Sequence, residues 1–509
     1  MKNVIASSKI SKMKILTAVE IANQVQDNMT IAISGSGGGL LEADFIFQAL
    51  EKKFLETGNP KNLTLVHALG IGNGRGSGVG RFAHENMVRR VIGGHWTWSP
   101  SMQKLARDNK IEAYSFPAGV IQTLFRETGS KRPGVITKIG LETFIDPKNG
   151  GGKCNSSTKE ELVENIILNG EDYLWYRPIK IDIAIIRGSV VDINGNISNQ
   201  SEPADLDTFS VALAAHNCGG KVFVQVEKIL EKPICPSRLV NIPGLLIDGV
   251  VINKNQMQTN ASKYDPRLSG EKYPPKEIII GEIPKGIRNI ICQRALRELE
   301  PRESVNFGFG IPDGIPHLAK KYGVDSGWIS VEQGLHNADL LSGELFGAGL
   351  YPQAILSSND QFDIYSGGGI DTAFLGFGEI DQFGNVNVSR IGDDIIGPGG
   401  FIDISQTAKK IVFCGTFETR GLEVEINENS ISINNYGKIK KIVRKVSHIT
   451  FSGKRAIQTG QKVLYITERA VFELTEKGIQ LIEIYEGIEM KKDVFERMEF
   501  KPRIKINKS

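Results

Sequence analysis

Apolar positions recur first at helical and then at strand spacing, and the two periods alternate along almost the whole chain. Ala18, Ile21, Ala22 and Val25 fall on one face of a helix opened by the capping box Thr17-x-x-Glu20. Thr30-Ile31-Ala32-Ile33 follows as a strand and runs into Gly35, Gly37, Gly38 and Gly39. The unit recurs when Ile287, Ile291, Ala295 and Leu299 fall at helical spacing. Ser304-Val305-Asn306-Phe307 then runs into Gly308, Gly310 and Pro312. Strands alternating with helices predict an α/β fold with largely parallel sheets.

The echo continues downstream. Asp182-Ile-Ala-Ile-Ile resembles Asp371-Thr-Ala-Phe-Leu, and Asp192-x-x-Gly195-Asn196-Ile197 resembles Asp381-x-x-Gly384-Asn385-Val386. Lys221-Val-Phe-Val resembles Lys410-Ile-Val-Phe, and all three matches share the offset 371 − 182 = 189. One common offset predicts two tandem, related α/β domains from an internal duplication. Thr30 and Asp182 are 152 residues apart, whereas Ser304 and Asp371 are 67 apart. The first half therefore carries an insertion, placed roughly at 95–175. The expected organisation is an N-terminal domain over 1–257, a linker rich in proline and polar residues over 258–285, and a C-terminal domain over 286–509. Near the end, one hairpin is expected from Ile431 to Val446, turning at Asn435-Tyr436-Gly437. A second sets Phe472 and Leu474 against Ile479 and Leu481.

Composition narrows the function classes. With 509 residues the chain is too long for one core, and 40% hydrophobic with 23% charged residues is ordinary for a globular protein. A net charge of +3 without a basic block gives no support for nucleic acid or a membrane surface as partner. The opening MKNVIASSKISKMKIL lacks the apolar stretch of a secretory signal, and no apolar run is long enough to span a bilayer. Cys154, Cys218, Cys235, Cys292 and Cys414 are scattered and include no CxxC, which fits reduced thiols and a cytoplasmic location. The glycine clusters invite a nucleotide reading. However, the i, i+2, i+5 dinucleotide spacing fails at 35–40 and 308–313, and no GxxxxGK(S/T) occurs. Seven dispersed histidines without ligand spacing predict no metal.

What remains is a carboxylate. In Gly327-Trp328-Ile329-Ser330-Val331-Glu332-Gln333-Gly334, a short β-type run ends in Glu332, and a glycine follows two residues later. A carboxylate on such a turn can serve as a covalent nucleophile, or can merely satisfy a loop. Glycine clusters at Gly35–Gly39, Gly308–Gly310, Gly367–Gly369 and Gly397–Gly400 are expected beside it, at the carboxyl edge of the sheets. Their bare N–H groups suit a developing oxyanion, which points to acyl chemistry. The best donor candidate is Gly400, with the Gly37–Gly39 loop second; Gly308, Gly310, Gly368, Gly369 and Gly399 are further substrate-binding candidates. His95, in Gly93-Gly94-His95-Trp96, reads as substrate-facing or as structural, and His336 as a site neighbour or a helix-surface residue.

Ser330-Val-Glu-Gln-Gly334, Ser366-Gly-Gly-Gly-Ile-Asp371, Asp381-Gln-Phe-Gly-Asn-Val386, Gly399-Gly-Phe-Ile-Asp403 and Ile466-Thr-Glu-Arg-Ala-Val-Phe472 together resemble the family I coenzyme A-transferases. The likeness is greatest to bacterial single-chain acetate/propionate CoA-transferases. It begins as early as Ser34-Gly-Ser-Gly-Gly-Gly-Leu-Leu-Glu-Ala43. The resemblance implies two related α/β halves and Glu332 as the catalytic glutamate. It also implies transfer of CoA between a short-chain acyl-CoA and a free carboxylate through a glutamyl-CoA thioester. Coenzyme A is then a co-substrate, no other cofactor is needed, and a homo-oligomer is expected. An acyl-CoA hydrolase on the same scaffold and a non-catalytic metabolite sensor are the alternatives.

Overall fold

The computed structural model describes residues 13–276, 281, 283–427 and 430–506. The first twelve residues, residues 277–280 and 282 of the expected linker, residues 428–429, and the last three residues lie outside that description. At the start, Thr17 caps Ala18–Ala22 as the pattern predicts. Its hydroxyl accepts from the Glu20 N–H (3.1 Å), and the Glu20 carboxylate accepts from the Thr17 N–H (2.8 Å).

Each half is built on its own large sheet. The first runs in the order Lys14–Ile15, Gly249–Ile252, Lys221–Val226, Ile183–Arg187, Thr30–Ile33, Leu63–His67, Val88–Gly93, Glu112–Ser115, with every pairing parallel. The second contains Trp328–Ser330, Ser304–Phe307, Thr372–Gly376, Lys410–Cys414 and Lys462–Ile466 in parallel order. These five strands match Leu63–His67, Thr30–Ile33, Ile183–Arg187, Lys221–Val226 and Gly249–Ile252 in sequence order and in sheet order. Central strands such as Ile183–Arg187 are buried throughout, as expected where helices cover both faces.

The repeat extends to single hydrogen bonds. Asp182 accepts from the Thr30 N–H and Asp371 from the Ser304 N–H, both at 2.9 Å. Asp192 folds the loop after its strand by accepting from Asn194 and Asn196 N–H groups, and Asp381 does so from Phe383 and Asn385. Asn196 and Asn385 then accept from Gly244 and Gly453, each at 3.0 Å. The aspartates recur at one offset because each ties the same loop.

The stretch where the insertion was expected supplies the strand Glu112–Ser115, the helices Pro100–Arg107 and Ala118–Gly129, and a small antiparallel sheet of Val135–Thr137, Val163–Leu168 and Glu171–Tyr176. Helix Ala118–Gly129 joins the halves. Its Ile121, Leu124 and Phe125 share one buried cluster with Phe362, Tyr365 and Ile402 of the second half. On its outer side Arg126 pairs with Asp360 (3.0 Å) and Asp363 (2.6 Å). The expected linker is anchored where described: Asn260 donates to Gly38 O (2.7 Å), and the Gln258 amide donates to Ser201 O (2.7 Å).

The second late hairpin forms with Phe472 opposite Leu481 and Leu474 opposite Ile479. The first does not. Ile431–Asn435 pairs backwards with Glu423–Ile426, while Ile442–Val443 joins Glu379–Asp381 in parallel. The turn residues at 435–437 end one pairing and begin another with a different partner. No helix of the described residues is long and apolar enough to cross a membrane.

Candidate active site

Glu332 stands at the tip of a tight turn between Trp328–Ser330 and Leu335–His336. Val331 and Leu335 close it through the Val331 N–H (3.2 Å), and the Gly334 N–H reaches Val331 O (2.9 Å). Gly334 has φ +93°, and a Cβ there would collide with the carbonyl of Leu356, so glycine is required on both counts. Beneath the turn, the Asn306 amide donates to Ser330 O (3.1 Å) and to the Tyr365 hydroxyl (3.2 Å), which also meets the Ser330 hydroxyl (3.1 Å). This buried polar set fixes the strand end that presents the glutamate.

Glu332 is half-buried as a residue, and its carboxyl faces the junction of the two halves. The Gly400 N–H donates to its Oε2 at 3.0 Å, and the Gln333 amide approaches Oε1 at 3.4 Å. Removal from water pushes its pKa up to about 7, and these two donors oppose that rise only in part. Such a carboxyl is ionised over a useful range yet poorly solvated, the combination a nucleophile needs. Position 400 must be bare: a Cβ there would overlap Oε2 and stand 3.0 Å from the Phe362 ring.

The first half holds the Gly397–Gly400 loop in place. Gly399 N–H donates to Gly94 O and Gly399 O accepts from Ala118 N–H, both at 2.8 Å, and Ile396 O accepts from Trp96 N–H (2.9 Å). One turn on, the buried Asp403 accepts from the Gly119 N–H (3.2 Å), and burial raises its pKa well above the ordinary carboxylate range. His95 stands on the other side of this loop. Burial lowers its pKa to about 4, so the ring is neutral at pH 7.

The other candidates divide. Gly37, Gly38 and Gly39 lie close by, because the Gln333 amide also reaches Ser36 Oγ (3.4 Å), but they pack under Trp98, Glu344 and Asn260. Gly308 and Gly310 reach the edge that carries Glu332, but their N–H groups are engaged by Phe374 O (2.8 Å) and the Asp313 carboxylate (3.1 Å). Gly368 and Gly369 require a correction. They close the helix Ser358–Ser366 through Tyr365 O and Ile364 O, and they precede the strand Thr372–Gly376. They therefore lie at the amino edge of the sheet, away from Glu332. His336 is in a strand, not on a helix surface, and its Nδ1 accepts from Trp328 Nε1 (2.8 Å).

Three residues at the junction were not anticipated: Gln333, Ser36 and Trp98. Gln333 had a signal in its adjacency to Glu332, and Trp98 in its place three residues after His95. Ser36 had none, because its contact spans 297 residues of sequence. Among the described residues no three His, Cys, Asp or Glu side chains come together as a set able to hold a metal.

Residues 15–253 match the family model described as coenzyme A transferase. The chain is 39% identical to the acetate CoA-transferase YdiF of Escherichia coli (strain K12) over 494 residues, covering 97% of this chain and 93% of that protein. It is also 39% identical to the caffeate CoA-transferase of Acetobacterium woodii over 501 residues, covering 96% and 95%. The solved structure of the acyl-CoA transferase YdiF from Escherichia coli O157:H7, a thioester complex with CoA, superposes with a TM-score of 0.92 at 38% identity, covering 97% and 94%. Likeness of this extent, over both halves and the junction between them, makes the chain a member of the coenzyme A-transferase family.

Proposed function

We propose that this enzyme moves CoA between a short-chain acyl-CoA and a free carboxylate by a ping-pong reaction through a glutamyl-CoA thioester at Glu332. The observation that carries the reading is the pairing of a poorly solvated carboxyl with a single backbone donor, Gly400 N–H to Oε2 at 3.0 Å, at the junction of the halves.

The steps follow from the groups present. The ionised Glu332 oxygen attacks the thioester carbonyl, the C–S bond breaks, and CoA leaves as thiolate from an acyl-glutamyl anhydride. The thiolate attacks the glutamyl carbonyl, giving glutamyl-CoA and releasing the first acid as its carboxylate. A second carboxylate attacks glutamyl-CoA, and the same two steps run in reverse to give the new acyl-CoA and free Glu332. Both exchanging partners are carboxylates, so no net proton transfer is required. In this reading the Gly400 N–H, which donates to Glu332 Oε2, stabilises the oxyanion formed on the glutamyl carbon, a contribution of about 3 kcal/mol for one such donor. The acetate and caffeate enzymes are equally similar to this chain, so overall identity does not choose the acid.

The test is to incubate the enzyme with acetyl-CoA, digest it, and look by mass spectrometry for CoA on the peptide containing Glu332. Propionyl-CoA with acetate is then expected to yield acetyl-CoA. Release of free CoA at a rate independent of acetate, with no adduct, would instead establish a hydrolase.

A further inference from the structure

The His95 imidazole and the Trp98 indole belong to a circuit of neighbouring residues that includes the Glu332 carboxyl and runs in part across bare glycines. From Glu332 the circuit passes over the bare backbone of Gly399. A Cβ there would stand 4.0 Å from Oε2 and 3.6 Å from His95 Cδ2. His95 and Trp98 both border Gly70, where a side chain would stand 2.9 Å from His95 Nδ1 and would overlap the indole. Trp98 covers Gly37 in the same way. Next to it, Ser36 accepts from the Gln333 amide, which turns back to Glu332, both at 3.4 Å.

The first half thus contributes two rings, both partly exposed, which face a carboxyl of the second half. At positions 37 and 70 the indole occupies the volume a side chain would need, so it is held by backbone on two sides and cannot easily withdraw. A circuit of this small size suits the small end of an acyl-CoA, not its long pantetheine arm. It also supplies no cation. His95 is neutral at pH 7, and two arginines, Arg75 on a loop and Arg187 at the end of its strand, are paired with Glu344 and Glu202. An acyl group with a second carboxylate would lose water there without gaining a partner.

We propose that Trp98 and His95 form the acyl-facing wall of the site and restrict it to small acyl groups that carry no second charge. The inference rests on the CoA-transfer reading and defines its substrate class.

Acetate, hexanoate and succinate are to be compared as CoA acceptors from propionyl-CoA, with the Glu332 adduct scored in the same preparations. For the wild type, kcat/KM for acetate is expected to exceed that for hexanoate and for succinate at least tenfold, as one methylene alone is worth about 10- to 200-fold in a fitted pocket. Trp98→Leu is expected to raise the hexanoate-to-acetate ratio at least tenfold. Trp98→Phe, which keeps a ring over Gly37 and Gly70, is expected to raise it at least threefold, and it decides the matter if the leucine variant does not fold. Equal slowing of both acids with an unchanged ratio would mean a purely structural indole and would overturn the proposal. So would succinate serving the wild type as well as acetate. Absence of the adduct overturns the transfer reading and this inference together, whereas an adduct with an unchanged ratio overturns the wall alone.

Discussion

The backbone N–H of Gly400 meets Oε2 of Glu332 at 3.0 Å, from a position where any Cβ would overlap that same oxygen. Donor and steric limit are one feature: the closeness that makes the hydrogen bond also forbids a side chain. Gly400→Ala is therefore expected to displace the carboxyl without unfolding the loop, whose φ of −83° suits alanine. A misplacement of about 1 Å costs roughly 100-fold. Steady-state kinetics should show kcat reduced to that extent, with a melting temperature within a few degrees of wild type.

The raised pKa of Glu332 has a direct kinetic consequence. In the proposed reaction attack requires the carboxylate, and burial raises the group's pKa to about 7. In the free enzyme kcat/KM should fall about tenfold per pH unit below 7 and level off above it. A profile measured from pH 5 to 9 checks this. An acidic limb near 4.5, the value of a solvated carboxyl, would contradict the burial seen here.

The same shift predicts a stability change of definite sign. The folded state binds this proton more tightly than the unfolded chain, so the protonated group favours folding at low pH. That advantage is lost as pH rises from about 4.5 through about 7. Glu332→Gln removes the ionisation. It should be more stable than wild type at pH 8, by about 1–2 kcal/mol once partial exposure is allowed for, and about equal at pH 4.5. Urea unfolding at the two pH values measures the difference, while activity in the variant should fall at least 1,000-fold.

The duplicated frame was legible because each repeated aspartate has the same task in both halves. Asp182 and Asp371 bind the neighbouring strand, and Asp192 and Asp381 each tie a loop. Glu332 was legible as a break in a strand pattern followed by Gly334, whose φ of +93° explains that glycine. Gly368 and Gly369 were misplaced because a glycine cluster before a strand and one after it were treated alike, although chain direction sends them to opposite edges. Gly400, which donates to Glu332, was legible as the donor candidate of its glycine cluster. Ser36 was hidden for a different reason: it meets Gln333 across 297 residues of sequence, and neither carries a local pattern that names the other.

Arg187 and Glu202 form an ion pair whose side chains are 4% and 3% exposed. Arg187 also donates to Gly39 O (3.2 Å) and Gln258 O (3.3 Å), so one guanidinium holds the glycine loop, the segment after the first sheet, and a buried carboxylate. Removing one partner leaves the other charged and dry, which costs about 3–5 kcal/mol, whereas replacing both with apolar residues of similar size is often near neutral. Arg187→Met should therefore destabilise strongly, and adding Glu202→Met should recover much of that loss in denaturant unfolding. Activity should not recover with it, because the methionine pair cannot donate to Gly39 O and the loop beneath Trp98 loses its anchor. A double variant restored in both stability and rate would show that the pair supports the fold without positioning the site.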